Sequence, residues 1–134
     1  MSESPRAAAL RELVGDLERR RPGVRELPLD VADAAAAGSG AGWHVVQLDT
    51  SGDRDDLFAQ CSRAFELPGW FGRNWDALAD ALSDVQHRPG TLVIWSGERD
   101  VSDAVRSMAT EIFEERADNG PAPLLVVVVR PAAR

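Results

Sequence analysis

The sequence predicts an α/β fold: a small parallel β-sheet of three core strands, to which the N-terminal segment can add a fourth, packed with helices. Three observations carry this. Short apolar runs alternate with longer segments at helical spacing, the order that right-handed strand–helix–strand crossovers require. Leu124 to Val129 is an unbroken apolar run, mostly β-branched, between Pro123 and Pro131, which fits a strand covered on both faces. At 134 residues with a single cysteine, the chain suits one domain whose core needs no disulfide or metal.

Taken in order, residues 5 to 20 place Leu10, Leu13, Val14 and Leu17 at helical spacing among Arg and Glu, and this amphipathic helix ends before Arg21-Pro22-Gly23. Val24 to Leu29 is a weaker strand candidate, because Pro28 interrupts it. Asp30 can cap a short Ala-rich helix to Ala37, after which Gly38-Ser39-Gly40-Ala41-Gly42 reads as a flexible turn. Residues 1 to 42 are thus expected to be a structural extension, and the core of the fold to begin at Trp43. Trp43 to Leu48 alternates enough to be a strand. Asp53 to Phe65 follows as a helix with acids in its first turn and an apolar stripe of Leu57, Cys61, Ala64 and Phe65, where Cys61 is expected to be a buried structural thiol. Pro68 to Asn74 reads as a loop and Trp75 to Val85 as a helix. After Pro89-Gly90 come a buried strand at Thr91 to Trp95, a helix from about Asp100 to Ala117 with Val101, Val105, Met108 and Ile112 expected inward, and the final strand.

The segment with the most chemical character is the Trp75 helix and the turn before it. With Asp76 at zero and about 100° per residue, Asp80 falls near 40° and Ser83 near 340°, whereas Trp75, Leu78, Leu82 and Val85 occupy roughly 180° to 260°. One face is acidic and the other builds core. Asp is a poor residue inside a helix, and two like charges at i,i+4 repel. Asp76 is excused if Asn74 caps the helix, since an acid in the first turn complements the exposed amides and the macrodipole. Asp80 has no such excuse. Two solvated acids on an exposed face is one reading; a binding face is the other. Trp70, Phe71 and Gly72 favour the second, because exposed aromatics beside charges are the composition of a protein-binding surface. The same aromatics could instead staple the helix or close the core.

The run Leu67-Pro68-Gly69-Trp70-Phe71-Gly72-Arg73-Asn74-Trp75-Asp76-Ala77-Leu78-Ala79-Asp80-Ala81-Leu82 resembles the signature of the barstar family, intracellular inhibitors of secreted barnase-type ribonucleases. That signature is an aromatic pair, Gly, any residue, Asn, an apolar residue, then Asp-Ala-Leu with a second Asp four positions after the first. Every one of those positions is met. The order of elements around it extends the resemblance from about Trp43 to Arg130, giving a family core at 43 to 130 within a single barstar-like domain. The resemblance implies that Asp80 enters the ribonuclease active site in place of the substrate phosphate and that Asp76 pairs with a neighbouring base. It implies that Trp70 packs near the enzyme's catalytic histidine, with Gly72, Asn74 and Ser83 on the adjoining surface. Glu115, aligned through Phe113 and Gly120, matches a rim acid of the last helix. Ala79 departs from the prototype, which has Trp there.

The partner so implied is a basic secreted ribonuclease bound one-to-one, with no cofactor. A formal net charge of −7 suits a basic partner and argues against nonspecific nucleic-acid binding, since the fifteen bases, all arginine, are scattered along the chain. An enzyme using Asp76 and Asp80 as acid and base has little support: His44 and His87 fall in no recognisable catalytic arrangement, and no phosphate loop or nucleophile motif is present. Asp53, Asp55 and Asp56 lack the turn glycine and closing Glu of a calcium loop and are expected to cap their helix. No apolar run has the length of a signal peptide core or a membrane span, so the expected location is cytoplasmic. The rival reading keeps the acidic face and changes the partner, making the protein a barstar-like adaptor for some other basic protein.

Overall fold

The computed structural model describes residues 3–68 and 72–131. Along the chain these form α1 (Pro5–Glu18), β1 (Gly23–Leu27), α2 (Val31–Gly40), β2 (His44–Asp49), α3 (Arg54–Ala64), α4 (Trp75–Ser83), β3 (Thr91–Ser96), a 3-10 turn at Glu98–Asp100, α5 (Asp103–Asn119) and β4 (Leu124–Val129). The four strands are parallel and ordered β1-β4-β3-β2. The α/β class expected from the sequence is the one observed.

The strand order decides which helix covers which face. From β1 the chain crosses the whole sheet through α2 to the opposite edge, then returns stepwise through α3 and α4 to β3 and through α5 to β4. Right-handed crossovers made in opposite directions must lie on opposite faces. Accordingly α1 and α2 pack Leu13, Leu17 and Ala34 against Leu92, Ile94, Leu125 and Val127. On the other face α3, α4 and α5 pack Leu57, Phe58, Leu78, Leu82 and Phe113 against Val93, Trp95, Val126 and Val128. Covered on both faces, β4 is buried along its whole length, which is why its sequence shows no alternation.

The N-terminal segment does supply the fourth strand. β1 pairs with β4 from Gly23 opposite Leu125 to Leu27 opposite Val129, and Pro28 ends it. Three expectations are corrected. The Gly38-Ser39-Gly40 stretch is the last turn of α2, and Gly38 is helical because it is buried against the sheet: a Cβ there would lie 2.6 Å from Leu92 Cδ2 and 2.8 Å from Val45 Cγ2. The last helix begins at Asp103, capped by the Ser102 side chain, because Gly52 bridges Val101 and holds it extended. Its buried positions are Ala109, Phe113, Arg116 and Ala117; Val105 and Ile112 are partly covered and Met108 is 39% exposed. Phe113, edge-on to Trp95 with ring centroids 5.9 Å apart, sets that rotation. Cys61 is fully buried as expected, and burial pushes its thiol up to about 12.

Candidate functional site

Helix α4 is short, and isolated helices of this length are marginal, so its position depends on what fixes its two ends and its buried face. At the start, Asn74 Oδ1 accepts from the Ala77 backbone N–H at 2.8 Å while Asn74 Nδ2 donates to the Gly72 carbonyl at 3.3 Å. Arg73, just before the cap, adopts a left-handed backbone with φ 47°. On the buried face Leu78 and Leu82 are fully covered, and Trp75 stands edge-on to Phe58 at 4.9 Å. At the end, the Ser83 hydroxyl donates to the Asp80 carbonyl at 2.5 Å and the Val85 N–H to the Leu82 carbonyl at 3.1 Å. The last fixing comes from another helix. Arg116 of α5 donates Nε to the Leu82 carbonyl at 2.7 Å and Nη2 to the Val85 carbonyl at 2.6 Å.

What α4 turns outward is the face expected from the helical phase: Asp76, Ala79, Asp80 and Ser83 are all exposed, as are Gly72 and Asn74 beside them. This outward ridge parts two grooves. One, of about 520 Å³, lies between α4 and α5 and brings together Asn74, Asp76, Ala79 and Glu115, with Met108 and Glu111. The other, of about 640 Å³, lies on the loop side and is lined by Gly72, Asp80 and Asp84 over Leu67 and Val85, with His87 at its margin. Asp76 and Asp80 therefore face different grooves, although they are one turn apart. Ser83 is on the ridge itself, and Trp70 lies outside the described residues.

Both grooves pair apolar floors with acidic rims. Among the described residues no arginine lines either one, and the carboxylates of Asp76 and Asp80 form no ion pair. The face is thus acidic, with no cation among the described residues lining its grooves to neutralise Asp76 or Asp80. Next to the loop-side groove, His87 stacks on His44 with centroids 3.8 Å apart; burial, then the neighbouring His87, holds the His44 imidazole below its usual value. Among the described residues no cluster of three His, Cys, Asp or Glu could hold a metal ion, and no helix is long and apolar enough to cross a membrane.

Sequence reasoning did not place Asp84 or His87 at these grooves, expected Met108 inward, read Glu111 with Glu114, Glu115 and Asp118 as an acidic stripe more often solvated than binding, and missed the buried Arg116 behind α4. Asp84 and His87 have no sequence pattern that marks them. Arg116 does: it falls on the buried stripe of Ala109, Phe113 and Ala117, and a charged residue there must have a partner.

A comparison with curated proteins gave no match. A comparison with family models matched residues 43–128 to the Barstar family, described as Barstar (barnase inhibitor). The matched span begins at Trp43, runs through α4 and its two grooves, and ends within β4, leaving α1, β1 and α2 outside it. Since that span is well over half of the sequence, the chain belongs to the barstar family.

Proposed function

We propose that this protein is an intracellular inhibitor of a barnase-type ribonuclease, binding one-to-one and blocking the active site with the outward face of α4. The observation that carries the reading is the pair of exposed carboxylates, Asp76 and Asp80, on a helix held at both ends by side-chain hydrogen bonds. An enzyme that cleaves RNA must present cationic donors to a phosphate, and a carboxylate held rigidly can satisfy those donors without offering a bond to cleave. In this reading Asp80 occupies the phosphate position and Asp76, with Glu115 across its groove, meets a neighbouring base. Gly72, Asn74 and Ser83 complete the contact, and Trp70 adds an aromatic one. Ala79 lines the α4–α5 groove at the position where the prototype has Trp, so one aromatic contact is missing in this reading. The protein is a binding partner of an enzyme and carries out no reaction of its own.

In the same reading residues 43 to 130 form the family core and residues 1 to 42 extend it within one domain. The pairing of β1 with the central β4 supports treating them as one folding unit.

The test is to titrate barnase-type ribonucleases with the full chain while following RNA cleavage. Inhibition should saturate at one equivalent, and Asp80→Ala should weaken it by about 3 kcal/mol or more, because the enzyme's buried cations lose their counter-charge. A folded protein that inhibits no such enzyme would refute the inhibitor. If it then captured a different basic protein through the same acids, the adaptor reading, which the missing aromatic at Ala79 favours, would replace it.

A further inference from the structure

Arg116 is 6% exposed, in a helix whose other buried residues are Ala109, Phe113 and Ala117. Burial holds its guanidinium below the usual arginine value, and its Nη1 has no hydrogen-bond partner among the described residues. A buried cation with an unmet donor is costly, and a stable α5 does not need one. The backbone that follows α5 also leaves it room. A Cβ on Gly120 would fall 1.5 Å from Arg116 Nη1 and 2.1 Å from Cζ, so the residue that follows α5 must be glycine while the guanidinium stays in place.

Both hydrogen bonds of that guanidinium go to one region, the last turn of α4 and the residue just past its C-cap. The last carbonyls of a helix lack intrahelical donors, and α4 has no basic residue in its own last turn. Arg116 adds a charged donor there, bridging the Leu82 carbonyl, which also accepts from the Val85 N–H, and the Val85 carbonyl with two nitrogens of one rigid fork. Leu82 is two residues beyond Asp80, whose own carbonyl accepts from Ser83. We infer that Arg116 is a positioning residue for the binding face: it locks the last turn of α4 from behind, so that the Asp80 carboxylate is presented in a single orientation. This rests on the reading of α4 as the partner-binding helix. Lysine is not an equivalent, since a single ammonium does not reproduce the planar two-carbonyl bridge.

The experiment uses the full chain and a barnase-type ribonuclease that it inhibits, with Arg116→Met, Arg116→Lys, Asp80→Ala and the Arg116→Met/Asp80→Ala double variant. Arg116→Met should raise Kd by about tenfold, mainly through faster dissociation, and Arg116→Lys should recover part of that loss. In the Asp80→Ala background the same Met substitution should change Kd by less than about twofold, because it acts through the Asp80 carboxylate. An equal loss in both backgrounds, or no loss with the fold intact, overturns the inference. Amide exchange of the free protein supplies a test that needs no partner. Arg116→Met should speed exchange in the last turn of α4 by about tenfold or more while the central strands β3 and β4 keep their protection. Uniform acceleration, or none, overturns the positioning role even if no ribonuclease is bound, and the failure of the inhibitor reading is seen separately as wild-type protein that does not inhibit. Should Arg116→Met not fold, Arg116→Lys is carried through both measurements with the same criteria.

Discussion

Replacing Asp80 with alanine should make the free protein more stable. The carboxylate is exposed on α4 and forms no hydrogen bond or ion pair among the described residues, so its removal deletes no polar contact among them. Three terms favour alanine. Helix preference contributes up to about 0.7 kcal/mol. Relief of the i,i+4 repulsion with Asp76 adds about 0.2–0.5 kcal/mol, and removing an acid from the C-terminal half of a short helix adds a few tenths more. The net gain is about 1 kcal/mol, worth roughly 3–5 °C in Tm for a chain of this size. Asp76→Ala is the control: its gains from helix preference and from the same relieved repulsion are largely offset by losing a charge that complements the N-terminal amides, so it should stabilise clearly less than Asp80→Ala, by a few tenths of a kcal/mol at most. The assay is urea unfolding of both variants without partner, with the slope checked for constancy and part of the Asp80 gain shrinking at high salt. If Asp80→Ala instead lowers stability, the carboxylate has a structural partner within the chain. The acids of α4 would then need no binding partner to explain them.

Three further outcomes follow from the same geometry. Gly38→Ala should destabilise, since a methyl pressed against Leu92 and Val45 costs about 1–3 kcal/mol of overpacking against at most about 1 kcal/mol of helix preference. Gly40→Ala, where a Cβ meets nothing within 4 Å, should be neutral or stabilising by a few tenths; urea unfolding of the pair reads both, and a reversed order contradicts the packing of α2. His44 should contribute to a pH dependence of stability. Its folded pKa is lowered from 6.5 by burial and by His87, against the opposing charge of Glu66, so between the folded value and 6.5 the unfolded chain binds the extra proton. Its contribution is fully present above 6.5 and is lost as pH falls toward the folded value; His44→Gln should flatten that slope, and an NMR titration placing His44 above 6.5 would contradict it.

Sheet composition and the outward face of α4 were legible because each depends on a local pattern. β4 reads as doubly covered from an unbroken apolar run, and Leu78 and Leu82 separate from Asp76 and Asp80 by helical phase alone. What was not legible depends on contacts distant in sequence. The glycines at 38 and 40 have the composition of a turn, yet Gly38 is helical because β2 and β3 lie against it. Met108 is a large apolar residue that periodicity would bury, but Phe113 and Arg116 compete for that face and rotate it outward. The division of the acids between two grooves could not be read either, because one groove exists only where α5 packs beside α4.

That division bears on how a partner would engage the surface. If Asp76 and Asp80 formed one patch, a single cationic group could satisfy both, and removing either acid would leave the other as a substitute. The structure instead sets Asp76 with Glu115 and Glu111 in one groove and Asp80 with Asp84 in the other, parted by the α4 ridge that carries Ser83. On the proposed reading a partner straddles α4 with cationic groups on both sides, so neither acid can stand in for the other. A ridge gripped from two sides must resist tilting, since rotation toward one groove withdraws it from the other. The Asn74 cap at one end and the Arg116 fork at the other hold α4 against that motion, which gives a buried and incompletely satisfied arginine a purpose in a fold that could otherwise have filled the site with hydrocarbon.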